Sequence, residues 1–216
     1  MPRVVKARRS YNSTGRQQQA RQNRRAVLDA ARRLFLERGY VATTMAAVAA
    51  EAGVSVETVY KTFGTKPAVL KAVLDVAIVG DDEPVPMLQR DRVQRMRDEP
   101  DARRKLALYG EHIVESAPRH VPVQLLARAA AGAGDPGAVR MWEEMQAERL
   151  TGMTHFARAL HEGGDLRPDV SADEARDVLW TLNSPELYEV LVLQRGWPPE
   201  RYGRWVVNAL VAALLP

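Results

Sequence analysis

Apolar residues recur along this chain at three- and four-residue intervals, and the two-residue alternation of a half-buried strand is missing throughout. In residues 21–38, Val27, Ala31, Leu34 and Phe35 fall at i, i+4, i+7 and i+8 and make one apolar face, while Arg24, Arg25, Arg32 and Arg33 take the other faces. Gly39 is the predicted stop. Residues 67–79 are amphipathic and predict a linking helix, after which Gly80 to Pro86 is a clear break. A short polar helix is predicted over 87–98. Another follows over 101–116, with Leu106, Leu108, Tyr109, Ile113 and Val114 inward. Pro118 and Pro122 predict a corner, because each removes a helical N–H donor. Residues 123–133 are small and apolar, and 132–137 read as a loop. Asp135 as cap and Pro136 at the first helical position open a long helix from about 137 to 160, closed by Gly163 and Gly164. Ser171 caps a helix over 172–182.

The C-terminal pattern is different. Residues 185–195 carry Leu187, Tyr188, Val190, Leu191, Val192 and Leu193, apolar nearly all round, which predicts burial on more than one side. Residues 199–215 show Tyr202, Trp205, Val206, Ala209, Leu210, Ala213 and Leu214 at helical spacing, with Val207 and Val211 as a second stripe. Two such broad faces predict either an ordinary core or a subunit interface. We expect a homodimer through residues about 171–195 and 199–215, as a four-helix bundle made from two copies. The fold class predicted is all-α.

Between these segments lies the most organised stretch of the chain, Thr44 to Lys66. Thr44 is a good N-cap, and residues 45–52 have high helix propensity, with Ala at five of eight positions. Gly53 ends that helix and Ser55 caps the next, over 56–62. Gly64 stops it, and Thr65 caps a third in whose first turn Pro67 is tolerated. Helix, Gly-containing turn and helix form the helix-turn-helix layout, whose second helix enters the DNA major groove.

Charge sharpens this picture. Residues 1–66 hold 13 Lys and Arg against four acids, net +9, and the remaining residues hold 18 against 23, net −5. A basic head on an acidic body is the footprint of a polyanion-binding domain. Residues 1–20, rich in Arg, Ser and Gln, predict a disordered basic arm that tracks DNA phosphates or reaches a minor groove, in preference to an inert tail or a transit peptide. The chain has no Cys, which excludes a disulfide scaffold, a thiolate metal site and a Cys nucleophile, and suits a cytoplasmic protein. No apolar run reaches the ~18 residues that a membrane span needs.

The ordered run Gly39-Tyr40, Thr44, Val48-Ala49, Ala52-Gly53-Val54-Ser55, Thr58-Val59-Tyr60, Phe63, Lys66 and Leu70 resembles the DNA-binding domain of the TetR family of bacterial transcriptional regulators. The resemblance covers residues 21–79 firmly. It implies a head over 21–66, a helical effector-binding and dimerisation domain over 67–216, repression as the common mode, and release from DNA by a small molecule bound in the larger domain. Matched position by position, Thr44 would contact phosphate through its hydroxyl and backbone N–H. Ser55 matches a further contact position. Tyr60 and Lys66 would bind phosphates, while Val56, Glu57, Thr58 and Lys61 would face base edges. For Glu57 two readings stand: acceptance from cytosine N4, or a simple preference for a helix N-terminus. Candidate lining groups of an effector pocket are Tyr109, His112, Trp142, Met145, Met153, Phe156, Trp180 and Asn183.

An enzyme is disfavoured. The four histidines, His112, His120, His155 and His161, form no metal motif, and no phosphate-cradling glycine loop or nucleophile elbow is present. His112 and Glu115 share a helix face, but two groups make no metal site, so we expect no metal and no cofactor. The competing reading is an architectural DNA-binding protein without an effector. It leaves the size of the acidic body, residues 67–216, unaccounted for.

Overall fold

The computed structural model describes residues 13–216, and they are helical with no strand among them. The first helix, α1, runs Ser13–Ala42. It breaks in register at Gly39 (φ 79°, ψ 167°), the predicted stop, and a last turn follows. Its first turns correct one expectation: residues 13–20 are helical, not disordered. Residues 1–12 of the expected arm lie outside the described residues.

Helix α2 is Met45–Ala52, α3 is Val56–Phe63 and α4 is Lys66–Val79. Each starts at the predicted cap. The hydroxyls of Thr44, Ser55 and Thr65 accept the backbone N–H of Ala47, Thr58 and Ala68. Each such bond satisfies a donor the helix cannot, worth about 1 kcal/mol. Gly53 adopts the left-handed conformation that ends α2 (φ 68°). Val27, Ala31, Leu34 and Phe35 are buried as the periodicity predicts, against Val48, Val59, Leu70 and Leu74. That core also takes in Val123, Ala127, Met141 and Met145 from two later helices, so the expected boundary at residue 66 does not divide the packing.

A short 3₁₀ turn, Met87–Gln89, leads to α5, Asp91–Asp98. Helix α6 spans Ala102–Gly132 without interruption. The corner expected at Pro118 and Pro122 is therefore absent. Two side chains bond carbonyls of the turn between the prolines. Arg119 donates to the carbonyl of Glu115 (2.9 Å) and His120 bonds that of Ser116 (2.8 Å). Packing against α1 and α4 holds the rest, since a buried face outweighs local propensity.

Helix α7, Pro136–Glu162, and α8, Ala172–Leu182, start at Asp135 and Ser171 as predicted. Helix α9, Pro185–Tyr188, continues as a π-helical stretch, Glu189–Gln194, and α10 is Pro199–Leu214. A second core joins α6, α7, α8, α9 and α10 around Leu106, Ile113, Leu160, Leu179, Tyr202 and Leu210. The expectation that 185–195 is buried on more than one side fails within one chain: Val190 and Leu193 are 46% and 52% exposed. Among the described residues no helix is long and apolar enough to cross a membrane.

Candidate functional site

The head presents α3 outward. Val59 is fully buried and Val56 and Phe63 pack partly against the core, so the opposite face, with Glu57, Tyr60 and Lys61, is exposed. The phenol of Tyr60, 51% exposed, and the ammonium of Lys61 have no partner among the described residues. Thr58 is half-buried, and its hydroxyl lies 3.1 Å from that of Ser55. Val56 turns its side chain largely toward the core, which leaves it little to offer a base edge. Glu57 accepts from its own backbone N–H and from Ser55, and these bonds hold its carboxyl below the usual carboxylate range. The helix N-terminus accounts for that carboxylate without any base. Thr44 stands exposed at the N-terminus of α2, its hydroxyl already capping Ala47.

Lys66 is placed otherwise than expected. Its Nζ donates to the carbonyls of Tyr40 (2.9 Å), Thr43 (3.1 Å) and Val41 (3.5 Å), and lies 4.1 Å from the centre of the Tyr40 ring. Burial lowers its pKa, and the Tyr40 phenol is raised to about 12 by burial and then by Asp135. Thr43, almost fully buried, closes the same turn by donating to the carbonyls of Leu34 and Gly39. The two residues use up the orphan carbonyls at the end of α1 and so fix the point from which Thr44 starts α2.

Beneath the head lies a cavity of about 1010 Å³. Its walls come from α4, α6, α7 and the segment from Met87 to Arg97. Six of the eight expected lining residues meet there: Tyr109, His112, Met145, Met153, Phe156 and Asn183. Tyr109 donates to Met153 Sδ (3.6 Å) and meets the Phe156 ring edge-on at 5.2 Å, and burial raises its phenol. The two tryptophans do not line it. Trp142 packs against the head-side core, and Trp180 lies under the Arg149 guanidinium at 4.2 Å. Apolar character alone did not say which of these aromatics meet the cavity.

Periodicity could have found what the list of aromatics missed. Lys105, Tyr109, His112, Ser116 and His120 fall at i, i+4, i+7, i+11 and i+15, one stripe along α6, and all line the cavity. His112 Nδ1 lies 3.0 Å from Arg92 Nη1. Arginine only donates, so this nitrogen accepts and the proton is on Nε2. His120 bonds a carbonyl through Nδ1, so its proton is there. Burial, the first cause in each case, holds both imidazoles down to about 4. Lys71 of α4 bridges Asp75 (2.7 Å) and Glu148 of α7 (3.0 Å) at the cavity wall.

Head and body are joined above the cavity. Arg24 of α1 binds Asp82 through Nε (2.9 Å and 3.1 Å) and covers the Phe63 ring. Arg119 of α6 donates to the Ala77 carbonyl at the end of α4, and Arg32 of α1 donates to the carbonyl of Arg119.

A basic three-helix head with an outward second helix, seated on a helical body with a large cavity, has the layout of a helix-turn-helix domain on a cavity-bearing body. Residues 27–73 match the family described as bacterial regulatory proteins, tetR family. No curated protein matches it in sequence. Solved structures share its fold across nearly their whole length. NalD, the secondary repressor of the MexAB-OprM multidrug efflux pump in Pseudomonas aeruginosa, superposes with a TM-score of 0.70 at 20% identity, over 91% of this chain and 98% of its own. The regulator FadR from Bacillus subtilis, solved with stearoyl-CoA, gives 0.68 at 19% over 87% and 97%. A regulator from Saccharomonospora viridis, solved with choline, gives 0.65 at 20% over 89% and 97%.

Proposed function

We propose that this protein is a ligand-released transcriptional repressor that binds a near-palindromic DNA site as a homodimer. The observation that carries the reading is the double duty of α4. Its buried residues, Val69, Leu70, Val73 and Leu74, belong to the head core, while Lys71, Leu74, Asp75 and Ile78 line the cavity. A molecule filling the cavity presses on the helix that positions the helix-turn-helix. Differential affinity for two head positions is all that allostery requires, typically about 1–3 kcal/mol. The ligands in the related structures support a cavity of this use.

In this reading Tyr60 and Thr44 hold phosphates, and Lys61 and Thr58 face base edges. Glu57 and Lys66 organise the head instead. Two copies joined through α8, α9 and α10 set two α3 helices in successive major grooves, about 34 Å apart, so the site has two-fold symmetry. The exposed Val190 and Leu193 are the apolar surface left for that contact. The test is a titration of fluorescent duplexes carrying candidate half-site pairs, with sedimentation of the complex. Two chains per duplex, and loss of affinity when half-sites are moved off one helical turn, are expected. One chain per duplex with no spacing dependence points to the architectural alternative.

A further inference from the structure

The cavity wall holds a buried lysine whose ammonium has no partner among the described residues. Lys105, in the first turns of α6, is 5% exposed and lines the cavity, and among the described residues nothing hydrogen-bonds or pairs with its ammonium. The neighbouring cations are committed. Lys71 pairs with Asp75 and Glu148, Arg149 donates to the carbonyls of Trp180 and Asn183, and Arg97 pairs with Asp98. Arg158 is exposed. Glu162 also lines the cavity but forms no ion pair with Lys105. Lysine is almost never buried without a counter-charge, because the desolvated ammonium is costly unless something answers it. Here the space beside it is a cavity large enough for a ligand.

The shape of the wall narrows the ligand further. From Lys105 the polar stripe of α6 runs to His120, 15 residues or about 22 Å along the helix axis. Facing it are Leu74, Ile78, Met87, Met96, Met145 and Phe156, an apolar and partly methionine-built surface that adapts to a flexible chain. With both histidines neutral near pH 7, Lys105 is the buried cation of this wall that has no partner among the described residues.

We propose that the effector is an elongated apolar anion, of the class of long-chain carboxylates, whose carboxylate pairs with the Lys105 ammonium while its chain lies along α6. This rests on the effector-cavity reading above and names the ligand class for it.

The test is calorimetric titration of the full-length protein with three matched probes below their micelle concentrations: dodecanoate, dodecanol and dodecylamine. Dodecanoate is expected to bind at least about tenfold tighter than dodecanol, as a charge-assisted bond at a desolvated site predicts, with the amine weakest. Lys105→Met, which keeps the side-chain volume, should bring dodecanoate to the level of dodecanol and leave dodecanol unchanged. Lys105→Arg should keep the preference, and melting curves check that both variants fold. The wild-type series is decisive by itself. Equal binding of the three probes, no binding, or a preference that survives in Lys105→Met overturns the proposal. DNA titration with each probe separates it from the regulatory reading. A Lys105-dependent preference for dodecanoate with unchanged DNA affinity keeps the ligand class and removes the effector role. Release of DNA by dodecanol as readily as by dodecanoate does the reverse.

Discussion

An ammonium has three N–H donors, and Lys66 directs its own at three carbonyls at the end of α1. A phosphate would have to break those bonds. Lys66→Met should therefore cost the fold about 1.5–3 kcal/mol, seen as a lower melting temperature, while the salt slope of DNA binding by the folded variant stays as in wild type. A slope reduced by about 0.9 with unchanged melting would return Lys66 to the phosphate backbone. Residue chemistry of this kind was hidden from the sequence. The motif gave the position of Lys66, but its partners depend on how the end of α1 folds back past Gly39. The caps at Thr44, Ser55 and Thr65 were legible because a cap acts on its own neighbours.

The buried histidines of α6 make a prediction of opposite character. His112 faces Arg92, Glu115 and Arg119, and His120 faces the Ser116 carbonyl, His112 and Arg119. Their pKa values fall from 6.5 to about 4 on folding. The unfolded chain then takes up protons that the folded chain refuses. Stability is present above pH 6.5 and is lost as pH falls from there toward 4. The loss is at most about 3 kcal/mol per histidine. The lowered carboxyls of Glu115 and Glu186 add a loss of the same sign at acid pH. Urea midpoints at pH about 7.5 and about 5 should differ in wild type and converge in a His112→Gln/His120→Gln variant. An unchanged difference in the variant would assign the acid sensitivity to other groups.

At the scale of elements, α6 and α10 come together closely where glycine faces glycine. A Cβ on Gly110 would run into Val207 Cγ2 and near the Gly203 carbonyl, and one on Gly203 into Val114 Cγ2 and near the Gly110 carbonyl. Gly203→Ala should destabilise by about 1–3 kcal/mol through overpacking, although alanine is the better helix former. Chemical denaturation checks the sign, and a stabilised variant would show that the crossing has slack. The same helix α6 marks the limit of local reading. Two prolines within five residues predict a corner by chain chemistry alone. The helix survives because its flanks are packed on both sides. Periodicity marked the helical stretches but split α6 in two at its prolines, since one buried face per helix leaves its mark on the sequence and the packing of the flanks does not. It did not tell which apolar residues face a cavity and which face a neighbour, so Tyr109 and Phe156 fell on the cavity while Trp142 and Trp180 did not. The polar stripe from Lys105 to His120 had the right spacing but was masked by the apolar residues beside it.

For the whole molecule, the proposed function makes the basic head, the cavity and the apolar C-terminal surface parts of one coupled device. Leu193 and Val190 stand exposed in a single chain, an arrangement that two-fold association would cover. Leu193→Glu should shift the protein toward the monomer in sedimentation and weaken binding to a two-half-site duplex far more than to a single half-site. Unaltered association would move the interface elsewhere. The charge contrast between head and body had already pointed to a polyanion at one end, and burial adds that α4 connects that end to the cavity.

The central claim is that α3 reads DNA sequence. Selection from a random duplex library, with wild type beside a Thr58→Ala/Tyr60→Ala variant that melts normally, tests it most directly. Enrichment of a near-palindromic site by wild type alone is the predicted result. No enriched site at low salt, or the same site enriched by the variant, would contradict it.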